Sequence, residues 1–254
     1  MAEYLLTGKR LTAHKILTPH AGEQPVPVYP VPAPRPAPTT FPDPTIGSWS
    51  WGPLGWRFVY ADGGFPANTS AVLDAQIYRF DPSGYIRTGW AYDSGFWYYH
   101  APTGEQVSGW VRDAFSWYYL DPVSGAIVTG WLLEGGSWYY LMPGSGAMAA
   151  GWQRVDGTWY YLDPASGAMV TGWLLEGGSW YYLTPGSGAM ATGWQRVDGT
   201  WYYLDPASGA MVTGWLLEGG SWYYLTPGSG AMATGWQRVD GTWYRFADTG
   251  RWLG

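Results

Sequence analysis

The sequence predicts an all-β protein, a solenoid of stacked β-hairpin repeats preceded by an extended proline-rich arm. The first observation behind this prediction is a Gly-Trp pair that recurs about every 21 residues and is followed seven residues later by a second tryptophan. The second is an Asp-Gly or Gly-Gly pair between most of these paired tryptophans, a strong signal for a two-residue hairpin turn. The first tryptophans of the units are Trp90, Trp110, Trp131, Trp152, Trp173, Trp194, Trp215 and Trp236.

The hairpin register follows from the turn. A two-residue turn at 156–157 places Trp152 opposite Tyr161. Side chains alternate between the two faces of a strand, so one face carries Trp152, Arg154, Trp159 and Tyr161, and the other Gln153, Val155, Tyr160 and Leu162. A single hairpin is only marginally stable, so each one is expected to pack on its neighbours. Because 19% of the residues are aromatic, we expect stacked rings rather than an aliphatic core to provide the buried surface.

The region before the repeats differs in composition. Nine prolines between Pro25 and Pro44 favour polyproline II, which extends by about 3.1 Å per residue and gives a stiff spacer of roughly 60 Å. We therefore predict an anchoring peptide over residues 1–24, a stalk over 25–47 and the solenoid over 48–254. Capping units are expected at 55–88 and 236–254, because Arg79 and Arg245 stand where interior units have their second tyrosine.

Two positions depart from the repeat pattern. The turn between Asp113 and Ser116 contains no glycine, so this hairpin is expected to be strained and the least regular. His100 occupies a position that is leucine in later units, and we interpret it as a surface variant rather than a catalyst.

Composition and charge exclude several classes of protein. The chain has no cysteine and no apolar run long enough to span a membrane, and Lys9 and Arg10 interrupt its only apolar N-terminal stretch. No signal peptide is recognisable, so a virion or an extracellular or cell-surface location is expected by a route other than general secretion. The net charge of −6 disfavours nucleic acid and favours cations, although the acidic residues could serve solubility alone.

The motif Gly-Trp-x4-Gly-x-Trp-Tyr-Tyr-Leu-x4-Gly-x-Met-x-Thr-Gly-Trp, present at 151–173, resembles the choline-binding repeats of Gram-positive surface proteins and phage lysins. The resemblance covers roughly residues 55–254. Similar repeats occur in the glucan-binding regions of streptococcal glucosyltransferases and in clostridial toxins. The resemblance thus implies the fold strongly and leaves the ligand open between choline and sugar.

The resemblance also implies aromatic cages between consecutive hairpins, with two tryptophans from one unit, a tyrosine from the next and a methionine that closes the cage. A quaternary ammonium group gains about 0.5 to 2 kcal/mol from each ring. The implied cages are Trp131, Trp138, Tyr161 and Met148; Trp152, Trp159, Tyr182 and Met169; Trp173, Trp180, Tyr203 and Met190; and Trp194, Trp201, Tyr224 and Met211.

Complete cages are expected only in the C-terminal half, because Ile86, Gln106 and Ile127 replace the methionine in earlier units. Weak single sites would then act together through multivalency. Two alternatives stay open. The rings could serve packing alone, and Arg154 and its equivalents Arg196 and Arg238 could stack on the neighbouring tryptophans and fill the cages, which would favour a sugar ligand or none.

The sequence offers no catalytic set. Its histidines, His14, His20 and His100, are widely separated, and Asp156 and its equivalents Asp198 and Asp240 are turn residues. We predict a non-catalytic protein without metal or cofactor that adheres to a bacterial surface through choline, cell-wall glycan or teichoic acid. One form of this hypothesis is a phage virion appendage or fibre whose N-terminal arm docks on the particle; the alternatives are a Gram-positive adhesin or a structural spacer without ligand. Homo-oligomers are left open.

Overall fold

The computed structural model describes residues 47–254, so the predicted anchoring peptide and the proline-rich stalk up to residue 46 lie outside the described residues. Within this range the all-β prediction is confirmed. Ten antiparallel hairpins follow one another, each a separate two-stranded sheet. They are β1/β2 (Gly47–Gly52, Gly55–Tyr60), β3/β4 (Ser70–Leu73, Gln76–Arg79), β5/β6 (Gly89–Asp93, Phe96–His100), β7/β8 (Gly109–Asp113, Ser116–Leu120), β9/β10 (Gly130–Glu134, Ser137–Leu141), β11/β12 (Gly151–Val155, Thr158–Leu162), β13/β14 (Gly172–Glu176, Ser179–Leu183), β15/β16 (Gly193–Val197, Thr200–Leu204), β17/β18 (Gly214–Glu218, Ser221–Leu225) and β19/β20 (Gly235–Val239, Thr242–Phe246).

The predicted register is confirmed by the pairing of β11 with β12, in which Trp152 lies opposite Tyr161. The turn between these strands has Asp156 at φ 48° and Gly157 at φ 85°. Positive φ at both central residues is the requirement of a type I′ turn, whose twist matches that of the strands it joins. The Asp-Gly pair therefore sets the hairpin locally.

The hairpin without a turn glycine corrects one expectation. β7 and β8 pair in the same five-residue register as their neighbours, so this unit is not irregular. The strain is confined to Ala114, which adopts φ 51°. A non-glycine residue in this left-handed region costs on the order of 1 kcal/mol, which the flanking pairing tolerates.

Short segments after each hairpin connect it to the hairpin before. Met190, which follows β14, forms an isolated bridge with Leu183 of its own hairpin. Its amide donates to the carbonyl of Trp159 in β12 at 2.8 Å. The amide of Ala191 donates to Tyr182 in β14 at 2.8 Å. Each connecting segment therefore hydrogen-bonds to two successive hairpins and joins the separate sheets into one array.

The core combines buried rings, such as Tyr140 and Tyr161, with aliphatic side chains, which corrects the expectation that rings would take the place of an aliphatic core. The leucine that ends each Trp-Tyr-Tyr-Leu strand is 0% exposed. Rings surround this line of leucines, and Phe80 and Phe246 take the same position in the first and last units of the repeat pattern. The fully buried leucines are Leu120, Leu141, Leu162, Leu183, Leu204 and Leu225.

His100 occupies the same line of buried positions, and the expectation for it is also corrected. It is 1% exposed and therefore not a surface variant. Its Nδ1 lies 3.2 Å from the carbonyl oxygen of Gly104, so the imidazole takes a leucine's place while keeping a polar partner.

The arginines of the two predicted capping units make different contacts. Arg79 forms an ion pair with Asp93 of the next hairpin at 3.0 Å, and both side chains are mostly buried. Arg245 is exposed and lies over the ring of Trp236, with 5.8 Å between its Cζ and the ring centroid. The first arginine thus binds the following unit, whereas the second covers a ring of its own hairpin.

Candidate functional site

The candidate site lies between consecutive hairpins. Trp152 and Trp159 belong to the hairpin β11/β12, and their ring centroids are 6.3 Å apart with the planes at 90°. Tyr181, from the next hairpin, approaches Trp152 at 4.9 Å and 68°. Three rings meeting nearly at right angles form an open corner, and 39% of the surface of Trp159 is exposed there.

This arrangement recurs along the array, and we number its occurrences sites 1 to 7. The distance between the first tryptophan and the tyrosine of the next hairpin is 4.8 or 4.9 Å at every site. The residue that follows the second hairpin completes each set. In order, the sites are Trp90, Trp97, Tyr118 and Ile127; Trp110, Trp117, Tyr139 and Met148; Trp131, Trp138, Tyr160 and Met169; Trp152, Trp159, Tyr181 and Met190; Trp173, Trp180, Tyr202 and Met211; Trp194, Trp201, Tyr223 and Met232; and Trp215, Trp222, Tyr244 and Trp252.

The structure brings together the predicted tryptophan pairs but not the predicted tyrosines. Tyr182 contacts Trp173 of its own hairpin at 5.0 Å, and the adjacent Tyr181 faces the preceding hairpin instead. The same holds for the other tyrosines predicted to close a cage across hairpins, which are Tyr161, Tyr203 and Tyr224.

The methionines are displaced by one site relative to the prediction. Met169 packs against the same buried cluster as Trp138 and Tyr160 of site 3, and its amide donates to the carbonyl of Trp138 at 2.7 Å. The prediction had placed it with Trp152 and Trp159. Met148, Met190 and Met211 shift in the same direction, since their amides donate to Trp117, Trp159 and Trp180.

A glycine loop from the next unit supports each closing side chain. Gly146 lies against Ile127 at site 1, where Pro143 and Gly144 also line a cavity of about 390 Å³. In site 3 the glycine is Gly188, on which Met169 packs so closely that a Cβ there would overlap its Sδ. The closing residue therefore lies between the rings and the backbone of the following loop.

Carboxylates lie next to some of the sites. The hydroxyl of Tyr161, whose ring contacts Trp152, donates to Glu176 of the following hairpin at 3.0 Å. Burial, followed by the hydrogen bond and charge of Glu176, raises the pKa of Tyr161 above its ordinary value. At site 1 the Nε1 of Trp90 donates to Asp113 at 2.8 Å. These acids place negative charge near the rings without occupying the corner.

The arginines do not fill the cages, contrary to one alternative from the sequence. Arg154 donates through Nε to the carbonyl of Gly157 in its own turn at 3.3 Å, and Arg196 and Arg238 make the equivalent bond. Arg112 is different, since its Cζ lies 6.0 Å from the ring centroid of Trp117. Sites 4 and 6 thus remain open to a cation.

Tyr119 provides a test of these buried hydroxyls. It is 5% exposed, and burial, together with the charge of Glu134 and the hydrogen bond to it, raises the pKa of Tyr119 to about 12. A folded-state pKa above the unfolded value of about 10 stabilises the fold below pH 10, and this contribution, about 2 to 3 kcal/mol, is lost as the pH rises toward 12.

We expect the free energy of unfolding of Tyr119→Phe to fall less steeply between pH 10 and 12 than that of the wild type. The measurement is urea denaturation at a series of pH values, followed by circular dichroism. Tyr92→Phe, at a ring that is 59% exposed, is the control for loss of one hydroxyl. Equal slopes for the wild type and Tyr119→Phe would contradict the raised pKa of Tyr119.

Sequence reasoning missed the ring sets at both ends of the array, among them sites 1, 2 and 7. Trp252 completes site 7 with Trp215, Trp222 and Tyr244 around a cavity of about 280 Å³. At the other end of the array, Trp49 contacts Tyr78 at 4.9 Å, the distance found in the regular sites. The signal for site 7 was the spacing Gly250-Arg251-Trp252, which repeats the Gly-x-Met of the preceding units.

Two negative findings apply to residues 47–254. No group of three or more His, Asp or Glu side chains in this range could hold a metal ion. The same range contains no helix long and apolar enough to cross a membrane.

Comparison with known proteins identifies the repeats. They match the choline-binding repeat over residues 87–129, 149–192 and 191–234, and the putative cell wall binding repeat over 129–148 and 234–251. No curated protein sequence matches the chain.

Solved structures agree with these matches. CbpF in complex with ipratropium is 36% identical with a TM-score of 0.65, over 78% of this chain and 76% of that one. CbpJ from Streptococcus pneumoniae TIGR4 is 31% identical with a TM-score of 0.57, over 82% and 94%. Choline binding protein F from Streptococcus pneumoniae in the presence of a peptidoglycan analogue is 29% identical with a TM-score of 0.54, over 82% and 93%.

Proposed function

Because the chain belongs to the choline-binding repeat family, we propose that sites 1 and 3 to 7 bind the trimethylammonium group of choline on a bacterial surface polymer such as teichoic acid. Site 2 is left out because Arg112 lies over its Trp117. The observation that carries the proposal is the three-ring corner repeated between hairpins, with Trp152, Trp159 and Tyr181 as its example. Ring faces attract a quaternary ammonium group, and three of them can contact one cation from different directions.

The chemistry of the lining favours a cation over a sugar. A sugar would need several polar groups to pair with its hydroxyls, because unpaired hydroxyls are costly to bury. The described lining of site 7 consists of four aromatic residues, Trp215, Trp222, Tyr244 and Trp252. A trimethylammonium group needs no hydrogen-bond partner, and acids such as Glu176 and Asp113 lie near other sites.

Repetition compensates for weak individual sites. One cage gains about 0.5 to 2 kcal/mol per ring, which gives modest affinity for a free ligand. On a polymer that carries many choline groups, the first contact raises the effective concentration for the next. The array thus acts as a multivalent, non-catalytic adhesive module, and a cell-wall glycan could add contacts outside the cages.

The test is retention of the full chain on purified choline-bearing cell walls. Free choline is expected to release it, and tryptophan fluorescence is expected to change with choline to a saturating value. Dextran at the same mass concentration is the matched sugar probe. Release by dextran but not by choline would indicate that the ligand is a sugar. No binding to cell walls and no fluorescence response to choline or dextran would favour a structural spacer.

The carrier is a separate proposal. A basic peptide at 1–24 and a proline-rich stalk at 25–47, followed by an adhesive array, suit a phage virion appendage that is docked through its N-terminal arm and projects the sites outward. We expect deletion of residues 2–44 to abolish incorporation into particles without affecting choline binding. Particles that retain the shortened protein would contradict this proposal and favour a Gram-positive surface adhesin.

A further inference from the structure

Site 7 differs from the other sites in the residue that closes it. Sites 2 to 6 are closed by a methionine and site 1 by Ile127, whereas Trp252 takes this position in site 7. The amide of Trp252 donates to the carbonyl of Trp222 at 2.8 Å, as the amide of Met232 donates to Trp201 at 2.8 Å. The chain follows the same path in both, so an indole replaces a thioether at an equivalent point.

The indole of Trp252 adds a fourth wall. Its centroid lies 6.1 Å from that of Trp215 and 6.0 Å from that of Tyr244, with the planes at 71° and 63°. The ring of Trp222 lies 6.2 Å from that of Trp215, with the planes at 87°. Four rings therefore line this cavity, and 40% of Trp252 remains exposed, so the site stays accessible.

A tryptophan in place of the methionine changes both the affinity of the site for a cation and its selectivity among ammonium groups. An indole face is the best cation-π partner among side chains, whereas a methionine thioether contributes dispersion without a comparable electrostatic attraction for a cation. A primary ammonium is strongly hydrated and would lose its hydrogen bonds to water inside four aromatic walls. A trimethylated ammonium loses none, so the fourth ring favours it selectively.

We infer that site 7 is the tightest quaternary-ammonium site of the array and that Trp252 sets both its affinity and its preference for a trimethylated over a primary ammonium. The inference rests on the proposed function. Trp252 and this ring set lie at the end of the matched repeats, whose last segment covers residues 234–251.

The experiment follows individual indole N–H signals by NMR in the full chain labelled with ¹⁵N-tryptophan. The signals of Trp252 and Trp215 are identified by their loss in Trp252→Met and Trp215→Phe. Choline and ethanolamine are titrated separately. In the wild type, the Trp252 and Trp215 signals are expected to shift at lower choline concentration than the remaining indole signals. The ethanolamine concentration needed to shift the same two signals is expected to be much higher than the choline concentration.

In Trp252→Met, which gives site 7 the closing residue of sites 2 to 6, the Trp215 signal is expected to report a 2-fold to 30-fold weaker choline affinity. This range corresponds to one ring contact of about 0.5 to 2 kcal/mol. Trp252→Phe is expected to recover part of the loss. Trp243→Met makes the same change at a tryptophan that is 61% exposed and belongs to none of the seven sites, and site 7 is expected to bind as in the wild type.

Unchanged affinity of site 7 in Trp252→Met would overturn the inference while leaving the proposed function intact, provided that other indole signals still titrate with choline. Equal choline affinities at all sites of the wild type would overturn it as well. If no indole signal responds to choline, both the inference and the proposed function are wrong. Circular dichroism that is unchanged between the variants shows that the comparison is made on folded protein.

Discussion

Replacement of Gly188 by alanine is expected to destabilise the protein by about 2 to 5 kcal/mol and to impair site 3. Gly188 adopts φ 71°, where an alanine costs about 1 to 2 kcal/mol. Its new Cβ would also overlap the Sδ of Met169 and lie 2.9 Å from the Cγ. Overpacking of this kind typically costs a further 1 to 3 kcal/mol. Met169 is half-buried and packs against the same cluster as Trp138 and Tyr160, so its thioether has to shift away from the new methyl group.

A matched control separates the two causes. Gly193 adopts φ 70°, and a Cβ there would meet no atom within 4 Å. Gly193→Ala therefore carries the same backbone strain without the overlap, and we expect it to cost about 1 to 2 kcal/mol. The measurement is the free energy of unfolding by urea denaturation. Equal losses for Gly188→Ala and Gly193→Ala, together with unaltered choline binding at site 3, would show that the methionine contact has no effect.

A double variant tests the partner directly. Met169→Ala removes the side chain that Gly188→Ala would strike, so the second change is expected to cost no more in this background than Gly193→Ala does in the wild type. The coupling free energy in the cycle is then expected to be about 1 to 3 kcal/mol. A coupling free energy near zero would show that the cost of Gly188→Ala does not come from its contact with Met169.

The hairpins could be predicted from the sequence because their determinants are local. The Asp156-Gly157 pair fixes the turn, and the turn fixes which residues oppose each other across two short strands. The alternation of faces then follows, and the contact of Trp152 with Trp159 agrees with it. No contact beyond a single repeat is needed for this part of the fold.

The tyrosine at each site could not be predicted in the same way. Tyr181 and Tyr182 are adjacent in sequence and point to opposite faces, so either could meet the preceding hairpin. The choice depends on how successive hairpins are placed, and this depends on non-local bonds such as that from the Met190 amide to Trp159. The same bonds explain the shift of the methionines. The amide of each methionine bonds to the second tryptophan of the preceding hairpin, so the methionine joins the site of that hairpin and not the site of its own.

The aromatic composition led to a prediction of the core that left out its aliphatic residues. Aromatic residues outnumber leucines in the repeats, but the innermost line of the array is filled by one leucine from each hairpin, such as Leu141, Leu162 and Leu183. Rings lie on both sides of the boundary between core and surface, since Tyr161 is buried at 5% exposure whereas Trp159 is 39% exposed. The candidate sites are thus built directly on this line of leucines, since Trp131 of site 3 lies in the cluster of Leu162 and Trp138, Tyr160 and Met169 pack against that cluster.

That contact leads to the last prediction, for Leu162. It is 0% exposed and packs in a cluster with Trp131, Tyr140, Ala149 and Val155. Leu162→Ala removes buried methyl groups and leaves a cavity that the surrounding rings cannot easily fill, and such changes cost about 2 to 5 kcal/mol. Because a repeat array is stabilised by nearest-neighbour contacts, the loss is expected to be concentrated at the adjoining hairpins rather than spread over the whole chain.

Hydrogen exchange of the folded protein measures this distribution. After Leu162→Ala, the amides of β9/β10, β11/β12 and β13/β14 are expected to exchange faster, while those of β5/β6 and β19/β20 keep wild-type protection. Leu175→Ala, at a side chain that is 53% exposed, makes the same chemical change and is expected to alter the free energy of unfolding by less than about 0.5 kcal/mol. Faster exchange along the entire array in Leu162→Ala would show instead that the hairpins unfold as one cooperative unit, and choline binding at site 7 would then fall together with that at site 3.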